Sequence, residues 1–216
     1  MKIKWYGQSC FLITSSNGTK IITDPFDEKI GYILPEVNAD IVTTSHDHMD
    51  HNNIKSMRGN FIHYCSIGKF VKNGIEINGI ETYHDNSNGS KRGKNIIFKF
   101  NVDGINVCHC GDLGHILTED QLSKIGKVDI LLIPVGGTFT TNAKEASEVV
   151  GQLNPSITIP MHYRTKLLSG PIKLMLSKVN KFVALCNKPF KEENELSVDL
   201  NNISEHKGYV ILNINK

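Results

Sequence analysis

Three histidines and two carboxylates crowd into six consecutive positions, His46-Asp47-His48-Met49-Asp50-His51. Imidazole nitrogen mixed with carboxylate oxygen suits zinc, and also manganese or iron, whereas calcium wants oxygen ligands throughout. His46 and His48 stand two apart, so on extended backbone both rings leave the same face and can grip one ion. Asp50 and His51 follow across a turn and aim at a second point close by. The bland alternative is a solvated loop that happens to be rich in histidine. The order and spacing argue against it, as does the apolar run 39–44, which reads as a buried strand ending at the motif.

His46-x-His48-x-Asp50-His51 resembles the signature of the metallo-β-lactamase superfamily, and that family's later motifs follow in the same order through nearly the whole chain. The resemblance implies two metal positions: His46, His48 and His84 around one, Asp50, His51 and His162 around the other, and Asp112 bridging them. It also implies that Asp24-Pro25 lies near the metal cleft, where Asp24 either accepts from a ligand imidazole or is a plain turn residue. In several relatives serine follows the third histidine; here Asp85 does. The loop 135–140, with Gly136 and Gly137, falls on the cleft rim in this family, where Thr138 or Phe139 could touch substrate. It is not a phosphate loop, because the Gly-Lys-Ser/Thr ending is missing.

Each proposed metal keeps a position open for solvent, as catalytic sites do and structural zinc sites do not. Two divalent ions ~3.5–4 Å apart, most naturally zinc, share a bridging water and lower its pKa toward ~7. No serine or cysteine nucleophile is then needed, and no GxSxG elbow is present. Asp50 is the candidate proton acceptor or leaving-group donor. His115 is a weaker candidate for proton donation or substrate orientation, set against a purely structural role.

The short length and the segments Asp112-Leu113-Gly114-His115, Gly136-Gly137-Thr138 and Pro160-x-His162-Tyr163 resemble the small stand-alone hydrolases related to the ascorbate-6-phosphate lactonase group. That implies hydrolysis of a small ester, lactone or phosphoester. Asp112 stands where true β-lactamases carry cysteine, and His48 where flavodiiron oxygen reductases carry glutamate. The branch that cleaves RNA and DNA has an inserted domain with no counterpart here. Two other readings stay open: a metal-binding sensor or scaffold without turnover, and a phosphodiesterase or nuclease using Lys91, Arg92 and Lys94. The polar loop 86–95 that carries these cations meets an anionic substrate or is simply a solvated hairpin.

The elements that must position these residues point to an α/β fold. Residues 1–24 read as a β-meander with an Asn17-Gly18 hairpin turn, and Asp103-Gly104 joins a second hairpin. Strands at 79–85, 128–133 and 156–163 alternate with helices opened by Thr118-x-x-Gln121 and by Asn142 with Glu145. Residues 171–180 read as one amphipathic helix, 52–57 as the start of a short helix, and 181–185 and 208–214 as closing strands. The resemblance makes this a four-layer αββα sandwich, with 1–216 as one domain and the metals between the sheet edges.

Composition fits such an enzyme. Hydrophobic residues make up 39% and charged residues 21% of 216, an ordinary globular balance. A net charge of +2 gives no reason to expect a nucleic-acid partner. No apolar run approaches the ~18 residues of a membrane span, and no leader-like stretch opens the chain. Five cysteines without CxxC spacing read as core thiols of a reduced, cytoplasmic protein. The expected partner is a small molecule, with a homo-oligomer possible.

Overall fold

The computed structural model describes residues 1–186 and 190–215. Alternation sets the first layer. β1 (Lys2–Gly7) buries Ile3 and Trp5, and pairs antiparallel with β2 (Cys10–Thr14), which pairs with β3 (Lys20–Thr23) across the predicted turn. β4 (Ile41–Thr43) and β5 (Ile62–Tyr64) then add in parallel, and β13 (Leu196–Ser197) closes the other edge beside β1. The sheet order is β13-β1-β2-β3-β4-β5.

The second sheet begins with antiparallel β6 (Gly68–Lys72), β7 (Ile75–Tyr83), β8 (Lys94–Val102) and β9 (Ile105–His109). It continues in parallel through β10 (Ile130–Pro134), β11 (Ile157–Met161), β14 (Gly208–Leu212) and β12 (Phe190–Glu193). β10 and β11 are wholly buried, as parallel strands covered on both faces must be. Ile3, Trp5, Phe11, Ile13, Ile21 and Ile41 of the first sheet pack on the second, and form the interior of the sandwich. Cys10, Leu12, Ile22 and Val42 face the other way.

The outer layers are unequal. α1 (Glu119–Ile125) and α2 (Ala143–Leu153) lie on the larger sheet, and both expected capping boxes are formed, Thr118 with Gln121 and Asn142 with Glu145. Over the smaller sheet the cover is thin: the 25–38 loop, two 3-10 turns (Glu28–Ile30 and Ile54–Ser56) and the segment around Leu168 and Leu176. The expected helix start at 52–57 is therefore only one 3-10 turn. The αββα sandwich stands, with its fourth layer built mostly without α-helix.

Two elements differ from expectation. The helix read at 171–180 is cut into α3 (Ile172–Met175) and α4 (Asn180–Val183), because Leu176 is extended at φ −84, ψ 143. The cause is tertiary: Ser177 donates its N–H to Gly136 O and accepts from Arg164 N–H, drawing the backbone out of the helix. The strand read at 181–185 is α4 instead, with Phe182 buried, and β12 takes the edge place beside β14. Among the described residues no helix is long and apolar enough to cross a membrane.

Candidate metal centre

Six strands deliver their carboxyl ends to one place. Gln8 follows β1, Asp24 follows β3, His46 lies just past β4, His84 follows β7, Asp112 lies just past β9, and His162 follows β11. Backbone strain gathers here too. Gln8, Asp24, Thr138 and His162 all have left-handed φ, at 49°, 40°, 62° and 51°. Each costs roughly 1–2 kcal/mol for a residue with a Cβ. His162 is held in this conformation by its N–H donating to Gln8 O at 3.1 Å. Gly111, at φ +54, brings the Asp112 turn so close to Ser45 and Asn95 that a Cβ there would collide with both.

The side chains converge. His46 Nε2 lies 2.9 Å from His48 Nδ1. Asp112 Oδ2 lies 3.2 Å from the Nε2 atoms of His51, His84 and His162 alike. Asp50 Oδ2 is 3.4 Å from His51 Nε2 and 3.9 Å from His162 Nε2. Three groups have ligand atoms close enough to hold one ion: His46-His48-His84, His46-His51-Asp112, and Asp50-His51-His162. All seven residues singled out from sequence as candidate ligands thus come together; two of the groups are the two expected sets, and the third joins His46 and His51 through Asp112.

The chemistry of these atoms fits divalent metal. His51 Nε2 and Asp112 Oδ1 are buried without a hydrogen-bond partner, although carboxylate oxygens of Asp50 and Asp112 lie 3.4 and 3.2 Å from His51 Nε2. A buried polar atom left unpaired costs ~1–3 kcal/mol. Atoms that crowd together yet fail to bond point at a common centre rather than at each other, as metal ligands do.

The neighbours of these atoms fix the rings. Asp24 is fully buried; its Oδ2 accepts from His51 Nδ1 at 2.9 Å and from the Ser45 hydroxyl at 2.6 Å, and its Oδ1 from Ser45 N–H at 2.8 Å. Asp24 is therefore an acceptor for a ligand imidazole, and not only a turn residue. Ser45 Oγ also lies 2.9 Å from His46 Nδ1, and His84 Nδ1 donates to Phe139 O at 2.9 Å. Such partners set which ring nitrogen faces the metal.

Sequence reasoning missed Gln8 and Ser45. Gln8 Nε2 lies 2.8 Å from Asp50 Oδ2 and 2.7 Å from His162 Nε2. Its only sequence signal is a polar break, Gly7-Gln8-Ser9, between two apolar strands. His115 must be corrected. Its Nε2 accepts from Tyr83 N–H at 3.2 Å and its Nδ1 donates to Ile116 O at 2.7 Å. Both nitrogens lie against backbone groups, so the ring staples β7 to the turn after Asp112, the structural role of the two open from sequence. His63 bonds Thr44 Oγ1 and His109 bonds Ser9 O, and both stay outside the cluster.

Burial, with His51 and His84 nearby, pushes His46 down to about 3, and burial with His84 lowers His48. Both rings are thus neutral, the form that binds metal. Burial alone would raise Asp112 and Asp50, but the surrounding histidines hold both carboxyls well below the usual range. Burial alone would lower His51 and His84, but Asp112 pulls both up. A divalent cation would take over that countercharge and release the protons.

The centre floors a cleft of about 430 Å³ lined by Met49, Phe139, Ile172, Lys91 and Arg92. The loop bearing these cations is built around Asp85, whose carboxylate accepts from the N–H groups of Ser87, Gly89, Lys91 and Arg92 at 2.7–3.0 Å. Arg92 then reaches over the Phe139 ring, 4.9 Å from its centroid, and donates to Thr138 O at 2.6 Å. Asp85 thus organises a cationic arm over the site.

Comparison with known proteins identifies the family. The profile of the Beta-lactamase superfamily domain matches residues 2–162. A UPF0173 protein of Pyrococcus furiosus is 30% identical over 206 residues, covering 79% of this chain and 87% of its own. A UPF0173 metal-dependent hydrolase of Methanosarcina mazei is 30% identical over 200 residues, covering 76% and 84%. A crystal structure of a proposed Zn-dependent hydrolase of the metallo-beta-lactamase superfamily from Thermotoga maritima is 41% identical, covers 98% and 97%, and superposes with a TM-score of 0.81. With fold, motif order and relatives in agreement, this chain belongs to the metallo-β-lactamase superfamily and is a hydrolase of that fold.

Proposed function

We propose that the protein is a binuclear, zinc-dependent hydrolase of a small anionic ester, lactone or phosphoester. The observation that carries this reading is Asp112 Oδ2 standing 3.2 Å from three separate imidazoles while Asp112 Oδ1 has no partner. His46, His48 and His84 would hold one ion, Asp50, His51 and His162 the other, with Asp112 shared. Ions so held supply Lewis acidity and a water acidic enough to be a nucleophile near neutral pH.

The chain's own groups do the rest. Asp50, ionised at neutral pH and oriented by Gln8 Nε2, accepts a proton within the cleft. Held ionised, Asp50 begins without a proton to donate, which supports the acceptor role of the two open from sequence. Lys91 and Arg92 attract and orient an anionic substrate, and Met49, Phe139 and Ile172 supply apolar lining that excludes water beside it. A cleft of about 430 Å³ suits a small molecule rather than a polymer.

Elemental analysis of purified wild type and Asp112→Ala tests the centre. About two ions per chain in wild type, falling in the variant, is the expected result. One ion or none, unchanged by the substitution, would remove the binuclear reading. Turnover of 4-nitrophenyl phosphodiesters and simple lactones by wild type, lost in His48→Ala with the fold retained, tests the hydrolysis.

A further inference from the structure

A second hollow, larger than the metal cleft, lies beside α3 and α4 against the end of β14. Its volume is about 910 Å³, and its walls carry Arg164, Lys166, Lys173 and Lys178 with no Asp or Glu among the lining residues. The sequence carries the same imbalance. Residues 149–191 contain no acid at all but hold Arg164, Lys166, Lys173, Lys178, Lys181, Lys188 and Lys191, seven cations in a chain whose net charge is +2. Arg164 Nε is buried with no hydrogen-bond partner, and Lys173 Nζ donates to a backbone oxygen, that of Lys166, at 2.9 Å. Like charges gathered along a concave wall repel each other and raise the local concentration of anions, with the nearest carboxylates, Glu192 and Glu193, behind the lining on β12 beside Ile211 and Leu212.

The floor is apolar. Trp5 and Tyr163 pack with ring centroids 5.1 Å apart, both almost wholly buried, and Ile211 and Ile214 continue the surface. A guanidinium fork matches phosphate oxygens in geometry as well as charge. A flat apolar floor matches a ring or hydrocarbon body. We propose that this groove is a second binding site, separate from the metal centre, for a small molecule bearing a phosphate or diphosphate group on an aromatic or apolar body. Occupancy has a physical route to the cleft, since Lys173 lines the groove while its chain neighbour Ile172 lines the metal cleft. The same segment is tied to the cleft loop through Thr138 Oγ1 donating to Met175 O at 2.6 Å and Ser177 N–H to Gly136 O at 2.8 Å.

Trp5 is the only tryptophan of the chain, so its fluorescence reports on the groove. The metal-loaded protein is titrated with ADP and, separately, with pyrophosphate. ADP is expected to give a saturable change, tighter than pyrophosphate because its body meets the floor. Arg164→Gln and Lys178→Gln should each weaken ADP about tenfold, the loss of one charge-assisted contact, with metal content unchanged. Lys91→Gln, in the metal cleft, should leave the titration as it is. The proposal is overturned if neither probe gives a saturable change, or if Arg164→Gln and Lys178→Gln both bind as wild type does. It is equally overturned if Lys91→Gln abolishes the signal, which would place the anion in the metal cleft.

Discussion

Asp24 Oδ2 lies 2.9 Å from His51 Nδ1, and neither side chain has any exposed surface. Because Asp24 can only accept, His51 carries a proton on Nδ1, and once a cation displaces the other proton it is Nε2 that faces Asp50 and Asp112. Asp24→Asn keeps the shape but can place an N–H opposite Nδ1, which reverses the tautomer and puts a proton where the metal should bind. We expect the ion held by Asp50, His51 and His162 to bind about 10–100-fold more weakly, with the far-ultraviolet circular dichroism unchanged. Competition against a chromophoric chelator measures it, and wild-type affinity in the variant would show that Asp24 does not set the tautomer.

Gln8 presents the opposite situation. Its Nε2 lies 2.7 Å from His162 Nε2, the nitrogen that faces Asp112. One lone pair cannot serve both an amide proton and an ion, so this hydrogen bond competes with metal. Gln8→Ala should therefore tighten binding at that position roughly fivefold, the equivalent of one neutral hydrogen bond of ~1 kcal/mol. Calorimetric titration of metal-stripped protein reads the effect. Weaker binding would mean that Gln8's contact with Asp50, at 2.8 Å, matters more than the competition.

The contrast between these two residues marks what sequence can carry. His46, His48, Asp50 and His51 are legible because their spacing on one strand end and turn is itself the geometry. His84, Asp112 and His162 are scattered by tens of residues and became legible only through the order of family motifs. Gln8 and Ser45 were missed because glutamine and serine beside a strand end carry no chemistry of their own; burial among ligands gives it to them. His115 misled for the complementary reason. Its residue type is catalytic, but two backbone groups, Tyr83 N–H and Ile116 O, consume both nitrogens. The fold shows the same division. The capped helices α1 and α2 were readable because caps and stripes are local, while the break at Leu176 depends on Gly136 and Arg164, far away in sequence.

Asp85 offers a test of the cationic arm that needs no knowledge of the substrate. Burial would raise its carboxyl, but the four backbone N–H donors of the loop bring it down to about 2. It is ionised at any ordinary pH and holds Lys91 and Arg92 in place. Asp85→Ala removes all four bonds, so trypsin should cut after Lys91 or Arg92 at least about tenfold faster, following the rise in locally open chain. Metal content should not change, since His84 keeps its bond to Phe139 O. Cleavage at the wild-type rate would mean that the Arg92 contacts alone hold the arm.

Asp129 predicts a pH dependence of stability away from the site. It stands just before β10 and accepts from Asn106 N–H at 2.9 Å and Asn106 Nδ2 at 3.1 Å, with Lys127 Nζ at 2.9 Å. Burial would raise its carboxyl, but these donors win and lower it. A carboxyl depressed in the folded state stabilises fully above its unfolded pKa, about 3.9, and loses that contribution as pH falls through the folded value. Asp129→Asn should therefore cost about 1 kcal/mol at neutral pH. The gap between variant and wild type should narrow as pH falls below the unfolded value and through the lower folded one, because the native carboxyl then becomes protonated too. Urea unfolding followed by Trp5 fluorescence at several pH values measures this. A gap that stayed constant with pH would assign the loss to shape rather than to charge.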